Sequence, residues 1–396
     1  MNVSKRIDAM QFSPIRKLVP FAEAAKKQGR TVYHLNIGQP DIETPREFFD
    51  AVKNFDEKVL EYTFSQGTPQ LIDSFIKYYD TFGVHYANDE ILVTNGGSEA
   101  VLFALVATCD FGDEVIVPEP FYANYNNFSK TVGAVVVPVA TQARDGFKLP
   151  SLDIMQSKIT HKTKAILLSN PGNPTGAVYD LEDMNKVIAL ATKYDLYIIS
   201  DEVYKEMVYD GLKFTSFSQI EEIQERVIIT DSISKRYSAC GARIGCIASK
   251  NKEVMKQVVK LCQGRLCVAT IEQIGAAALS EVSPTYMKNV IAEYQKRRDI
   301  VYNALKQMDG VICEKPQGAF YIMAKLPLAD SGDFAQWLLT DFSVNNETVM
   351  VAPGDGFYAT EGLGRDEIRI SYVLKEEALK KAMNLLAQAL KEYGRG

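Results

Sequence analysis

A lysine stands behind two serines in Ser232-Ile233-Ser234-Lys235, and Arg243 follows eight positions on, just ahead of Ile244-Gly245. A lysine amine can act as a covalent catalyst by condensing with a carbonyl. Serine hydroxyls and a nearby guanidinium are what a phosphate needs. The stretch therefore reads as the anchor of an aldehyde that carries a phosphate. Taken alone, a lysine beside serines in a polar loop is most often a solvated surface residue, so its standing depends on what the rest of the chain brings to it.

Four further constellations bear on it. Thr94-Asn95-Gly96-Gly97-Ser98-Glu99 opens a helix with small residues, which expose backbone N–H groups to an anion, although Asn-Gly is also a common turn. Tyr122, in Pro118-Glu119-Pro120-Phe121-Tyr122, could stack on a planar ring or pack on its own helix. Asn173 sits in Asn170-Pro171-Gly172-Asn173-Pro174, two Asn-Pro turns that could hold it as a fixed amide donor. Asp201 ends an apolar run and could pair with a protonated ring nitrogen, or cap the segment that follows; Tyr204, three residues on, could hydrogen-bond a ring phenolate. Together these describe one ligand: a phosphate, a planar ring with a basic nitrogen and a phenolic oxygen, and an aldehyde for the lysine. That ligand is pyridoxal 5′-phosphate.

Each constellation adjoins a short apolar run. Residues 91–94, 114–117, 134–137, 165–169, 196–200, 227–230 and 244–248 read as strands, with helical patterns over 100–107, 124–131, 152–159 and 181–194 between them. Such alternation predicts a mostly parallel sheet covered by helices on both faces, whose ligands bind beyond the carboxyl ends of the strands. An amphipathic pattern over 13–28 leads to a short strand before Gly38. After Pro284 a long helical pattern leaves the sheet, and strands at 319–323, 348–351 and 367–371 alternate with helices at 334–342 and 376–393. The expected fold class is α/β. A large cofactor-binding domain spans 48–284, and 1–47 together with 285–396 form a smaller α+β domain.

The totals exclude several classes. With 396 residues, 46% apolar and 24% charged, the composition is that of an ordinary globular protein. A net charge of −6 argues against a nucleic-acid surface, no apolar run approaches membrane-spanning length, and the first residues lack a secretory pattern. Six cysteines without a Cys-x-x-Cys pair read as free thiols of a reducing cytoplasm. Three histidines, none paired at ligand spacing, predict neither a metal site nor a histidine triad.

From Ile37-Gly38-Gln39-Pro40-Asp41 to Ile368-Arg369-Ile370-Ser371 the chain resembles the class I/II aminotransferases of the aspartate-aminotransferase fold, fold type I of pyridoxal-phosphate enzymes. Asn173-Pro174-Thr175-Gly176, Ser200-Asp201-Glu202-Val203-Tyr204 and Ser234-Lys235 with Arg243 carry the resemblance most specifically. It implies that Lys235 holds the cofactor as an aldimine and then shuttles the substrate proton. Asp201 would keep the ring nitrogen protonated, Asn173 and Tyr204 would bind the ring oxygen, and Tyr122 would stack on the ring. Gly97, Ser98, Ser232, Ser234 and Arg243 would form the phosphate cup, with Tyr62 reaching it from the second subunit of a homodimer. Arg369 would grip the substrate α-carboxylate, assisted by the Gly38 backbone and Asn173.

On substrate, the resemblance points two ways. One bacterial aspartate-aminotransferase subgroup has a lysine for the distal carboxylate where this chain has Ser98. Arg265 lies at a spacing where it could read that carboxylate across a dimer interface, or form a solvent salt bridge at a helix end. The implied function is an amino acid aminotransferase, aspartate with 2-oxoglutarate first, with aromatic, alanine or broad specificity as alternatives. A β-lyase keeps the cofactor and changes the bond broken. A non-catalytic regulatory module is disfavoured, because the residues before Gly38 are too few for a DNA-binding domain and Lys235, Asp201 and Arg369 are retained.

Overall fold

The computed structural model describes residues 2–12 and 16–394. A first strand, β1 (Thr31–His34), precedes seven that form the main sheet: β2 (Ile91–Thr94), β3 (Glu114–Glu119), β4 (Val135–Ala140), β5 (Thr163–Ser169), β6 (Tyr197–Asp201), β7 (Val227–Ser232) and β8 (Gly245–Ala248). Their order is β2-β8-β7-β6-β5-β3-β4, parallel except for β8, which runs against both neighbours. Between β7 and β8 the chain makes only a one-turn helix, Ile233–Arg236, and a short 3₁₀ turn, Cys240–Ala242. A parallel return needs a crossover long enough to retrace the strand, so β8 comes back antiparallel.

Continuous apolar runs form these strands because both faces of the sheet are covered. Ile116, Ile166, Leu168, Ile198 and Ile229 point to one face, under the helices Pro69–Asp80 and Leu181–Tyr194. Val115, Val117, Leu167, Ile199 and Ile228, one residue out of step, point to the other, under Gly97–Thr108 and Lys252–Arg265. Each such side chain contributes about 1.5–3 kcal/mol on burial, and a one-residue slip would exchange the two sets.

A separate apolar core lies in the C-terminal part. There β9 (Tyr321–Lys325), β10 (Glu347–Met350), β11 (Ala352–Pro353) and β12 (Glu367–Ser371) form two small sheets, β1-β10 and β11-β12-β9. The helices Pro284–Lys306, Ser331–Thr340 and Glu376–Tyr393 cover them. Leu18, Ala22 and Leu35 join this core from the N-terminal segment, and Tyr204, Met207 and Tyr209 join it from the stretch after β6. The pattern expected over 13–28 is a 3₁₀ turn, Arg16–Leu18, running into the helix Val19–Lys27; positions 13–15 lie outside the described residues. The helix expected over 152–159 stops at Gln156, where the chain turns toward β5.

From β3 the chain steps outward to β4, then returns to the other side of β3 as β5. Such a reversal opens a crevice beyond the carboxyl ends of the strands. Register brings the tips together: Ser169 pairs with Asp201, and Gly245 faces both Ser232 and Thr94. Because β8 is antiparallel, its entry end, with Arg243 just before it, lies where its neighbours end.

Candidate active site

At these strand tips lies a cavity of about 300 Å³, at the lower end of the range for small-molecule sites. It gathers every candidate residue from the sequence except Tyr62 and Arg265.

One wall is built for an anion. The helix Gly97–Thr108 starts at Gly96, whose φ of 77° and ψ of 174° belong to a region kept almost entirely for glycine. A Cβ on Gly96 would meet the Arg243 guanidinium, so the absence of a side chain lets that cation approach the helix N-terminus. Gly245 does the same from the other side, where a Cβ would strike the Asp231 carbonyl and the Gly97 nitrogen. Arg243 itself is left-handed at φ 53° and donates to the Cys240 carbonyl at 3.1 Å. Ser232 caps its one-turn helix by accepting from Ser234 N at 3.1 Å, and the two hydroxyls meet at 2.7 Å. Backbone N–H groups, a helix dipole, hydroxyls and a guanidinium converge here, as a phosphate requires.

Lys235 follows on that same turn. Its Nζ donates to the Gly38 carbonyl at 2.9 Å and lies 3.7 Å from Cys240 Sγ. Across the cavity Asp201 is buried at the end of β6, accepting from the Tyr125 hydroxyl at 2.6 Å and the Val203 N–H at 3.3 Å. Burial pushes its carboxyl up to about 6, against these two donors, which favour the anion. Tyr122 presents its ring to the cavity, edge-on to Tyr125 at 5.5 Å.

The third wall comes from the C-terminal core. Arg369 on β12 is 4% exposed, and among the described residues no carboxylate pairs with it. It donates to Asn173 Oδ1 at 3.1 Å and to the Asn36 carbonyl at 2.7 Å, while its Nε has no partner among the described residues. The guanidinium lies over the Tyr321 and Phe357 rings at 4.5 and 4.7 Å. Burial pushes Arg369 below the ordinary arginine range, the signature of a buried cation whose protein partners are all neutral. Because Arg369 takes the carbonyl end of Asn173, the Asn173 NH₂ remains as its donor. Tyr204 is buried, with its hydroxyl 2.9 Å from that of Tyr321.

Two candidates lie elsewhere. Tyr62 is 82% exposed and lies outside the lining of this cavity in its own chain. Arg265 ends the helix Lys252–Arg265 and is held by Glu99 at 3.2 Å and the Ser65 carbonyl at 2.9 Å. Three contributors escaped the sequence reading. Tyr125 lies one helical turn beyond Tyr122 and could have been found from that spacing. Tyr321 reaches Arg369 only through the pairing of β9 with β12, which sets Tyr321 opposite Ser371 and Met323 opposite Arg369. Cys240 carried no signal beyond its place between Lys235 and Arg243. Among the described residues, no group of three His, Cys, Asp or Glu side chains could hold a metal ion, and no helix is long and apolar enough to cross a membrane.

A lysine at a sheet crevice, an anion cradle beside it, a buried carboxylate opposite and a buried arginine with neutral partners among the described residues share this one cavity. The sequence profile described as Aminotransferase class I and II matches residues 30–386, and the chain belongs to that family. It is an aminotransferase with the fold of aspartate aminotransferases. An aspartate aminotransferase of Pyrococcus horikoshii is 33% identical over 395 residues, 98% of this chain and 97% of that protein. Among solved structures, the aspartate aminotransferase of Thermotoga maritima aligns at a TM-score of 0.90 with 31% identity, covering 98% of this chain and 100% of that one. An alanine aminotransferase of Pyrococcus furiosus aligns at 0.89 with 31% identity, covering 99% and 100%.

Proposed function

We propose that this cavity binds pyridoxal 5′-phosphate on Lys235 and transfers an amino group from an L-amino acid, aspartate first, to a 2-oxo acid such as 2-oxoglutarate. The observation that carries the reading is Arg369, a buried guanidinium with neutral partners and a spare N–H, in one cavity with Lys235 and Asp201. An α-carboxylate supplies the missing counter-charge, and the planar guanidinium grips it at two points. The cofactor, when bound, supplies an aldehyde and an electron-accepting ring. The residues fit that group: helix N-terminus, Ser98, Ser232, Ser234 and Arg243 for the phosphate, and Asp201 for a protonated ring nitrogen. The Asn173 amide and the Tyr204 hydroxyl serve the ring oxygen, and Tyr122 the ring face. Lys235 would be the base that takes the proton from the substrate Cα and returns it.

The same reading takes 48–284 as the cofactor-holding domain and 1–47 with 285–396 as a smaller one, supported by their separate apolar cores. It takes the working form as a cytoplasmic homodimer in which Tyr62 serves the neighbouring site, supported by the exposure of Tyr62 beside exposed Val59, Leu60 and Phe64.

A second reading, a neutral or aromatic amino donor, is favoured by one observation: Arg265 is already engaged by Glu99 and Ser65 of its own chain. A panel of amino donors with 2-oxoglutarate tests both. If aspartate is the donor and Arg265 reads its side chain, Arg265→Ala lowers kcat/KM for aspartate about tenfold or more, and far less for alanine or phenylalanine. Equal losses assign Arg265 to the fold and move the preference to uncharged donors. Release of pyruvate and ammonia in place of an amino-group exchange would make the enzyme a β-lyase.

A further inference from the structure

Behind the cavity, and outside its lining, two buried cations meet at one buried carboxylate. Asp231, on β7, accepts from Arg236 Nη1 at 2.9 Å through each of its oxygens. Lys205 Nζ at 2.9 Å, Ser232 N at 2.6 Å and the Tyr79 hydroxyl at 3.2 Å also donate to it. Arg236 donates in addition to the Ser232 carbonyl at 3.2 Å. Lys205 lies 4.0 Å from the buried Glu202 and 3.9 Å above the Tyr79 ring.

Two cations thus flank the Asp231 carboxylate in the apolar interior, with Glu202, whose carboxyl burial pushes up to about 7, beside Lys205. Removing such a cluster in favour of apolar side chains is often neutral or stabilising, so its presence is weak support for a stability role. What a carboxylate held by four donors adds is a fixed geometry, although Arg236 Nε and Glu202 Oε2 have no partner among the described residues. Its placement gives that geometry a purpose. Asp231 and Arg236 bracket Lys235, and their bonds close a loop around the one-turn helix Ile233–Arg236, which is too short to hold itself. Lys205 brings the segment of Asp201 and Tyr204 to the same carboxylate.

We propose that Arg236 and Lys205 are positioning residues, which join the Asp201–Lys205 and Asp231–Arg236 segments through Asp231 and so set the aim of Lys235 relative to Asp201. The proposal rests on Lys235 being the reacting lysine. Arg236→Met and Lys205→Met in the cofactor-loaded enzyme should lower kcat by about 10–100-fold, the scale of a small misplacement of a catalytic group, with KM nearly unchanged. Arg236→Lys, which keeps the charge and a single donor nitrogen like the Nη1 that makes all of these bonds, should recover part of the loss. In cofactor-free protein, the rate at which acetic anhydride labels Lys235, read by peptide mass spectrometry against exposed Lys17, should change several-fold in the methionine variants. Unchanged kcat and Lys235 labelling with only a lower melting temperature would overturn the proposal. If the methionine variants do not fold, Arg236→Lys and Lys205→Arg are read the same way, and wild-type values in both would overturn it. A wild type that neither binds the cofactor nor transaminates would instead sink the functional reading, while the labelling still reports how Lys235 is held.

Discussion

Asp201 and Arg369 are two cavity residues whose charged forms are disfavoured by burial. Asp201 carries a carboxyl raised by burial to about 6 from an ordinary 3.8. Between about pH 4 and 6 the folded chain therefore keeps a proton that the unfolded chain has released, and stability falls as pH rises through that window. Other carboxyls titrate too, so the effect is read as a difference. Relative to Asp201→Asn, cofactor-free wild type should lose about 2 kcal/mol of unfolding free energy between pH 4 and pH 7, measured by urea denaturation. A pH-independent difference would show that Asp201 is not proton-loaded by burial. Bound cofactor should erase the loss, because a protonated ring nitrogen favours the Asp201 anion.

Among the elements, the helix Gly97–Thr108 matters most, since its first turn faces the cavity beside Arg243. Gly96→Ala forces a side chain into a backbone region that costs about 1–3 kcal/mol for other residues, and directs its Cβ at the Arg243 guanidinium. The expected outcome is a fall of about tenfold in pyridoxal 5′-phosphate affinity, with little change for pyridoxal, which lacks the phosphate. Equal losses for the two ligands, measured by equilibrium titration, would remove this helix end from phosphate binding. The contribution of β8 is of the same kind: its reversed direction brings Arg243 to the tip of the sheet, although Arg243 precedes its strand while the other constellations follow theirs.

At the scale of the molecule, the cavity lies between the main sheet and the C-terminal core, and the proposed homodimer adds Tyr62 of a second copy. Complementation tests this sharing. Lys235→Ala and Tyr62→Ala homodimers should each be impaired, the first by about 10²–10⁴-fold or more. Refolded together in equal amounts, half of the dimers would be mixed, and each mixed dimer would hold one site with both residues intact. Activity should then rise to about a quarter of wild type. No gain on mixing, with mixed dimers demonstrated by differential tagging, would place Tyr62 outside the shared site.

Much of this enzyme was legible in its residues. The strands of the main sheet could be read because each is a short apolar run, and both faces of a parallel sheet select for such runs. Lys235, Asp201, Asn173, Tyr204 and Arg243 could be read because each lies within a few residues of a strand end, so local spacing carried their positions. Contacts over long sequence separation were not legible. The meeting of Tyr321 with Arg369 and Tyr204 depends on strand register, and the clasp of Arg236 and Lys205 on Asp231 depends on two segments packing side by side. Arg265 shows the difference most directly. Its sequence position suits a substrate ligand, and only the packed chain gives it to Glu99, because a salt bridge is decided by which surfaces meet, and spacing along the chain does not record that. The sequence by itself determined the chemistry and its order along the chain. Tertiary structure decided which charges are buried without a counter-charge, Arg369 among them, because only packing sets which groups leave water together.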